Sequence, residues 1–417
     1  MAISIIITII VSSIVFATES EKIEIEKTVA YAEGFLREYY QNEYSDVTDV
    51  SRYEIDEGLK TYLKYKVDAL KTNREVYGKI KEYKLRLENI SSTQIGEDTV
   101  VDIVAHIEFK YPDSNEITKV GEKVSVIVGK ESCSYIIKDF YSSGNIFDII
   151  VRGKNIVLWE ISNGAKIIKV PDFEKIVNCA KNQNKLIKKA ADNIKIALKE
   201  DFCGKIESDV PSKGSGQTDY LFNTSTAKSY ANANAIKQYP DPGSSLAPNY
   251  MDFGIYGGDC TNFVSHCLLA GGSCMNIGSN DATHWYYLGS GNRSATWSSV
   301  KWLHNFINNT QMLSGPNGVV NAHFTIQESF YDVVGRIVVI QIKYPNAINW
   351  GHSTIQVAKQ KSSEMSTIMM PRITSRSSYG NYHVSEILSV AYPYDPLDIN
   401  NPNYCTFRTL QINGYNS

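Results

Sequence analysis

The sequence predicts an α+β fold made of two unlike modules, and three observations carry that reading. Between Glu21 and about Tyr141, apolar residues first recur at three and four positions and then alternate, so helices precede strands. Charge then thins abruptly: residues 21–210 hold 30 Lys/Arg and 33 Asp/Glu, whereas residues 211–417 hold 12 and 11. The charge-poor half also carries 17 of the 27 Gly, four of the five Trp and six of the seven His, the residue types used in tight turns, grooves and proton transfer. A length of 417 residues fits two to three ordinary domains. An apolar fraction of 43% excludes wholesale disorder, and a net charge of −3 leaves no electrostatic footprint for nucleic acid.

Residues 2–17 (AISIIITIIVSSIVFA) are apolar and uncharged, too short for a comfortable membrane span, and Val15-Phe16-Ala17 supplies small residues before Thr18. Residues 1–17 are therefore read as a secretory signal, or as a membrane anchor where it is not cleaved; the chain is expected to be secreted or held at the cell envelope. Val29, Ala32, Phe35 and Leu36, then Leu59, Leu63, Val67 and Leu70, predict two helices up to about Arg74. Tyr83–Leu87, Thr99–Tyr111, Val120–Val128 and Tyr135–Tyr141 alternate as a strand meander. In architecture alone this resembles the cystatin-like or nuclear-transport-factor-like modules that often precede secreted catalytic domains. Residues 172–202 return to helical spacing after Pro171, and the Pro/Ser/Gly/Gln stretch 211–217 reads as a linker. The expected division is an accessory module over 21–170, a helical connector and linker over 171–217, and a catalytic domain over 218–417.

The densest chemical signal is Tyr256-Gly257-Gly258-Asp259-Cys260-Thr261-Asn262-Phe263-Val264-Ser265-His266-Cys267 with Gly271-Gly272 beyond it. Asp259 suits an N-cap, Phe263, Val264, Cys267 and Leu268 share a face, and the Gly pair stops a helix. Cys260 then sits in the first turn, where unpaired N–H groups and the helix dipole favour a thiolate, and the preceding glycines let a substrate backbone approach. A plain buried Cys gains nothing from those neighbours, and Cys267 fits that bland role better. The seven cysteines, at 133, 179, 203, 260, 267, 274 and 405, are odd in number and scattered, so at least one thiol is free, and their spacing gives no metal pair of the C-x-x-C kind. No metal and no cofactor are expected.

A nucleophilic thiol needs a base. Trp350-Gly351-His352-Ser353-Thr354-Ile355-Gln356-Val357 follows the apolar strand Ile337–Ile342 and alternates as a strand that starts at the His. An imidazole there, expected to be partly exposed, can take a proton from a thiol across a groove. His266, His284, His304, His323 and His383 lack such surroundings and are read as structural. Trp285, Tyr286, Tyr287 and Trp350 are groove candidates for a peptide or sugar; Trp297, Val300, Leu303 and Phe306 are spaced as a helix, which makes Trp297 a core residue.

Taken together, Gly257–Gly272 (GGDCTNFVSHCLLAGG), Tyr230-Ala231-Asn232, Trp285-Tyr286-Tyr287, Trp297-Ser298-Ser299-Val300 and Gly351-His352-Ser353 resemble the putative amidase domain family of secreted Gram-positive proteins, which is similar to papain-like CHAP and NlpC-type hydrolases. The resemblance covers about residues 220–417. It implies a helix bearing the Cys packed on a small antiparallel sheet bearing the His, with Cys260 as nucleophile, His352 as general base, Tyr256, Gly258, Asp259 and Gly351 as site support, and amides of peptides or peptidoglycan as substrate. Two positions depart from the pattern: Gly335-Arg336 stands where members carry Gly-Asp, and Ile373-Thr374-Ser375-Arg376 stands near the third catalytic position. Thr374 and His383 are the substitutes at hand for an orienting residue. Three readings stand at this stage: an exported cysteine hydrolase, a non-catalytic envelope-binding module with a degenerate papain-like site, and a charged N-terminal half that itself contacts the cell envelope.

Overall fold

The computed structural model describes residues 19–45, 52–80, 82–112, 114–132, 134–153, 156, 158–162, 165–199, 220–240, 250–256, 258–279, 283–309, 314–321, 336–361, 369–395 and 401–416. The expected signal segment and the 211–217 linker lie outside the described residues. Among those described, no helix is long and apolar enough to cross a membrane.

The chain is a mixed α+β structure. Its first part runs α1 (Glu19–Tyr44), β1 (Glu54–Ile55), α2 (Glu57–Glu75), β2 (Tyr83–Ile95), β3 (Asp98–Phe109), β4 (Thr118–Glu131), β5 (Ser134–Ser142), α3 (Ile146–Arg152), the small hairpin β6 (Trp159–Ser162) and β7 (Ala165–Ile168), and α4 (Phe173–Lys199). The second part runs β8 (Tyr220–Leu221), α5 (Thr224–Asn234), a 3-10 turn at Gly254–Tyr256, α6 (Cys260–Ala270), α7 (Ala295–Ser298), α8 (Val300–Asn309), β9 (Gly315–Asn321), β10 (Ile337–Lys343), β11 (His352–Lys361), β12 (Met369–Ser378), β13 (Asn381–Ile387), α9 (Leu388–Ala391) and β14 (Thr406–Asn416). The two expected helices, the meander and the Lys-rich helix of the first half are α1, α2, β2 to β5 and α4. Asp56 starts α2 by accepting from the N–H groups of Gly58 and Leu59.

One large sheet runs through both halves. Its spine is β1-β5-β4-β13-β12-β11-β10-β14-β8, with β2 and β3 beside β4 and β9 beside β14. The seam lies on β4. Beyond Val124, where β5 leaves the strand at Ser142, β13 takes its place, pairing Gly121 with Tyr382 and Val120 with His383. Side chains bind the seam as well: Lys123 N–H donates to Asn381 Oδ1 at 2.9 Å, Tyr111 Oη to Glu386 Oε1 at 2.6 Å, and Arg372 Nη2 to Thr118 Oγ1 at 2.7 Å. Phe35, Tyr62, Phe140 and Phe147 share one apolar core with Ile340, Ile342, Ile373 and Leu388.

Gly121 is at this seam because of space: an added Cβ would fall 2.4 Å from Cε1 of the Tyr382 ring. Gly121→Ala is expected to cost about 1–3 kcal/mol of stability through overpacking, read as a lower urea midpoint with faster hydrogen exchange in β13.

The second half has its own core on the opposite face of its strands. Along β10, Ile337 and Val339 pack towards α6, while Ile340 and Ile342 join the first core. A strand covered on both faces reads as a continuous apolar run, which is why Ile337–Ile342 shows little alternation. Helix α6 is enclosed in the same way: every residue from Cys260 to Leu268 is buried, so its polar positions must find partners inside. Asn262 and Ser265 do, whereas His266 Nε2 is buried with no hydrogen-bond partner among the described residues. Asn262 Nδ2 donates to Met251 O at 3.1 Å, Trp297 Nε1 donates to Asn262 Oδ1 at 2.8 Å, and Ser265 Oγ donates to Trp297 O at 2.8 Å.

Candidate active site

Cys260 is the first residue of α6 and is 7% exposed; His352 is the first residue of β11 and is 3% exposed. The residues next to them meet: Thr261 Oγ1 lies 3.2 Å from Ser353 Oγ, and Gln341 Nε2 on β10 reaches the same hydroxyl at 3.5 Å. That bond pins the start of α6 to the start of β11, so the thiol-bearing and imidazole-bearing residues flank one contact. The burial of His352 corrects the expectation of partial exposure; among its neighbours is Tyr392, whose ring centroid lies 5.6 Å from that of the imidazole.

Tyr392 stands at the centre of the site. Its ring also lies 5.8 Å from His383. Burial pushes its phenol up, a hydrogen bond with Ser375 works the other way, and the nearby Cys260 and Cys405 sulfurs add smaller upward contributions. Tyr344 is pushed up by burial, with Tyr392 and Cys260 adding to it. Sequence reasoning passed over both tyrosines, because Tyr392 follows a short helix in an unremarkable Tyr-Pro-Tyr run and only the sheet brings it to His352.

Asp259 precedes the helix as expected, but its carboxylate does not cap α6. It turns instead into a buried network, accepting from Tyr250 Oη, from Phe253 N–H at 3.1 Å, from Asn262 Nδ2 at 2.9 Å and from Arg376 Nε at 3.2 Å. Arg376, fully buried, also pairs with Asp252 and donates to Ala235 O at 3.0 Å and Lys237 O at 2.6 Å. Burial, with Asp252 adding, lifts Asp259 to about 7, against the pull of Arg376 and Tyr250. One guanidinium facing two carboxylates thus ties β12, the end of α5 and the loop before Cys260 together. Gly258 in that loop has φ +142, a backbone conformation that only glycine adopts freely.

The remaining expected residues fall out as follows. Thr374 is buried and donates to Asn232 Oδ1 at 2.6 Å, so its hydroxyl serves α5. His383 lies on β13, two strands from β11, with its ring 5.8 Å from Tyr392; burial lowers it to about 4, which keeps it neutral near physiological pH. Trp285 is a core side chain and not a groove wall: it is fully buried, 4.5 Å from Trp297 between ring centroids, and donates to Ser265 Oγ at 3.2 Å. Tyr286 is buried and Tyr287 borders a cavity of about 1060 Å3 with His266 and Tyr250. His266 stacks on Tyr250 at 4.4 Å, and burial lowers it to about 3, in keeping with a structural role. Trp350 carries the Arg408 guanidinium over its ring at 4.4 Å, Gly351 N–H donates to Ile342 O at 2.9 Å, and Tyr256 is exposed on the 3-10 turn. Among the described residues, Cys179, Cys260, Cys267, Cys274 and Cys405 are free thiols, and no cluster of three or more His, Cys, Asp or Glu is placed to hold a metal.

Residues 222–396 match the family described as a putative amidase domain. The matched span contains Cys260, His352, Arg376, His383 and Tyr392 and ends just before β14. The general chemistry this amidase-like region points to is amide hydrolysis. No curated protein and no solved structure matches the chain significantly.

Proposed function

We propose that the chain is an exported cysteine amidase that cleaves amides of peptidoglycan peptides through Cys260 and His352, on a papain-like arrangement of helix and sheet. The observation that carries this reading is the Thr261–Ser353 contact at 3.2 Å, which joins the start of α6 to the start of β11 inside the amidase-like region. The thiol passes its proton to the His352 imidazole and the sulfur adds to the amide carbonyl, forming a C–S bond. Backbone N–H groups in the first turn of α6 have no partner within the helix and can hold the oxyanion. His352 returns the proton to the nitrogen, the C–N bond breaks, and a free amine leaves a thioester on Cys260. Water, deprotonated by His352, attacks the thioester and releases a carboxylic acid and the thiol.

A second reading, a non-catalytic envelope-binding module, is favoured by the burial of both Cys260 and His352. Incubating the full chain with a peptidoglycan digest separates the two: release of new amino groups that is lost on Cys260→Ala supports the amidase, and no release supports the binder. Export and a papain-like architecture belong to this proposal and not to the fold as described.

A further inference from the structure

A cavity of about 540 Å3 opens beside Gly258, and residues of both halves of the chain line it. Tyr344, Ser375, His383 and Tyr392 come from the amidase-like region; Ile90, Val104, Lys123 and Ile146 come from the first module. Strand pairing explains two of the second group. Lys123 on β4 is paired with Val104 on β3, and directly paired residues of antiparallel strands point to one face. That face meets the β12–β13 turn, since a Cβ on Gly380 would lie 2.7 Å from Val104 Cγ2.

The charges around this space are unequal. Asp252 is committed to Arg376 and to the N–H groups of Gly254 and Tyr379. Glu88, opposite Val104 on β2, is held by Arg86 at 2.8 Å and accepts from Tyr379 Oη at 2.9 Å. His383 is neutral, and its Nδ1 is buried with no hydrogen-bond partner among the described residues. Lys123 is exposed to the cavity side and makes no ion pair with another described residue. The lining contributed by the first module therefore offers one exposed cation, Lys123.

We propose that the first module completes the substrate cleft and that Lys123 selects peptides carrying a free carboxylate at the end that lies along β4. The proposal rests on the reading of Cys260 as the nucleophile for peptide amides and names the substrate feature that reading leaves open. A carboxylate seated there gains a charge-assisted hydrogen bond in a partly enclosed groove.

The test uses the full-length chain and two probes, the stem tetrapeptide L-Ala–D-isoGln–L-Lys–D-Ala with a free C-terminal carboxylate and the same peptide as its carboxamide. Wild type is expected to favour the carboxylate in kcat/KM by about tenfold, the scale of one charged hydrogen bond at a wet site. Lys123→Gln should bring the ratio to about one, and Lys123→Arg should keep it. Calorimetry on Cys260→Ala, with and without Lys123→Gln, reads the same preference in binding without turnover. A ratio near one in wild type, a ratio unmoved by Lys123→Gln, or no binding of either peptide overturns the proposal. Lys123-dependent binding without turnover keeps it while the amidase reading fails; turnover without discrimination does the reverse.

Discussion

Replacing Cys260 with Ala is expected to abolish amide hydrolysis, lowering kcat by about 10³-fold or more, because the sulfur is the atom that bonds to the amide carbonyl in the proposed reaction. The substitution removes one sulfur atom from a small buried side chain, so the cost in stability should stay near 1 kcal/mol. His352→Ala should slow the reaction by about 10²–10⁴-fold through loss of the general base. Because thiol and imidazole act as one unit, the double variant should be about as slow as Cys260→Ala alone. Initial rates of amino-group release measure all three. Residual activity in Cys260→Ala close to that of wild type would remove Cys260 from the mechanism.

The largest effect on stability is expected at Arg376. It is fully buried and faces both Asp252 and Asp259. Arg376→Met removes the cation and leaves two buried carboxylates without it, which should cost about 3–5 kcal/mol. The deficit should depend on pH in a definite direction. In the folded chain burial and Asp252 hold Asp259 at about 7, above its ordinary 3.8, so the stability tied to its proton is complete below the ordinary value and is lost as pH rises through about 7. Without the guanidinium that proton is held more tightly still. The gap between Arg376→Met and wild type should therefore be smallest in acid and widen as pH rises past about 7, as urea midpoints at pH 5.5 and pH 8.5 would show. A gap independent of pH would mean that Arg376 does not govern the proton affinity of Asp259.

The parts of the fold that were legible in the sequence are those with local signatures. The helix beginning after Asp259 was marked by the glycines on both sides, and the strand beginning at His352 by its alternation. The β4–β13 seam was not legible, since Val120 and His383 are joined by a pairing between distant segments whose patterns look the same whether they form one sheet or two. Asp259 looked like a cap because a cap is judged from one turn of chain. Its real partners, Tyr250 and Arg376, arrive from a separate loop and from β12. Trp285 looked like a groove residue because an aromatic cluster reads alike on a surface and in a core; the hydrogen bond from its indole to Ser265 is a tertiary fact.

An activated thiol at Cys260 is what the proposed chemistry requires above all, and alkylation against pH measures it. Iodoacetamide capture at Cys260, followed by peptide mass from pH 5 to 9, should reach half its plateau well below the pH of about 8.5 typical of an ordinary thiol. In His352→Ala the midpoint should move back towards that value. A wild-type midpoint near 8.5, unmoved by His352→Ala, would contradict the paired nucleophile and base and leave the site as a binding surface.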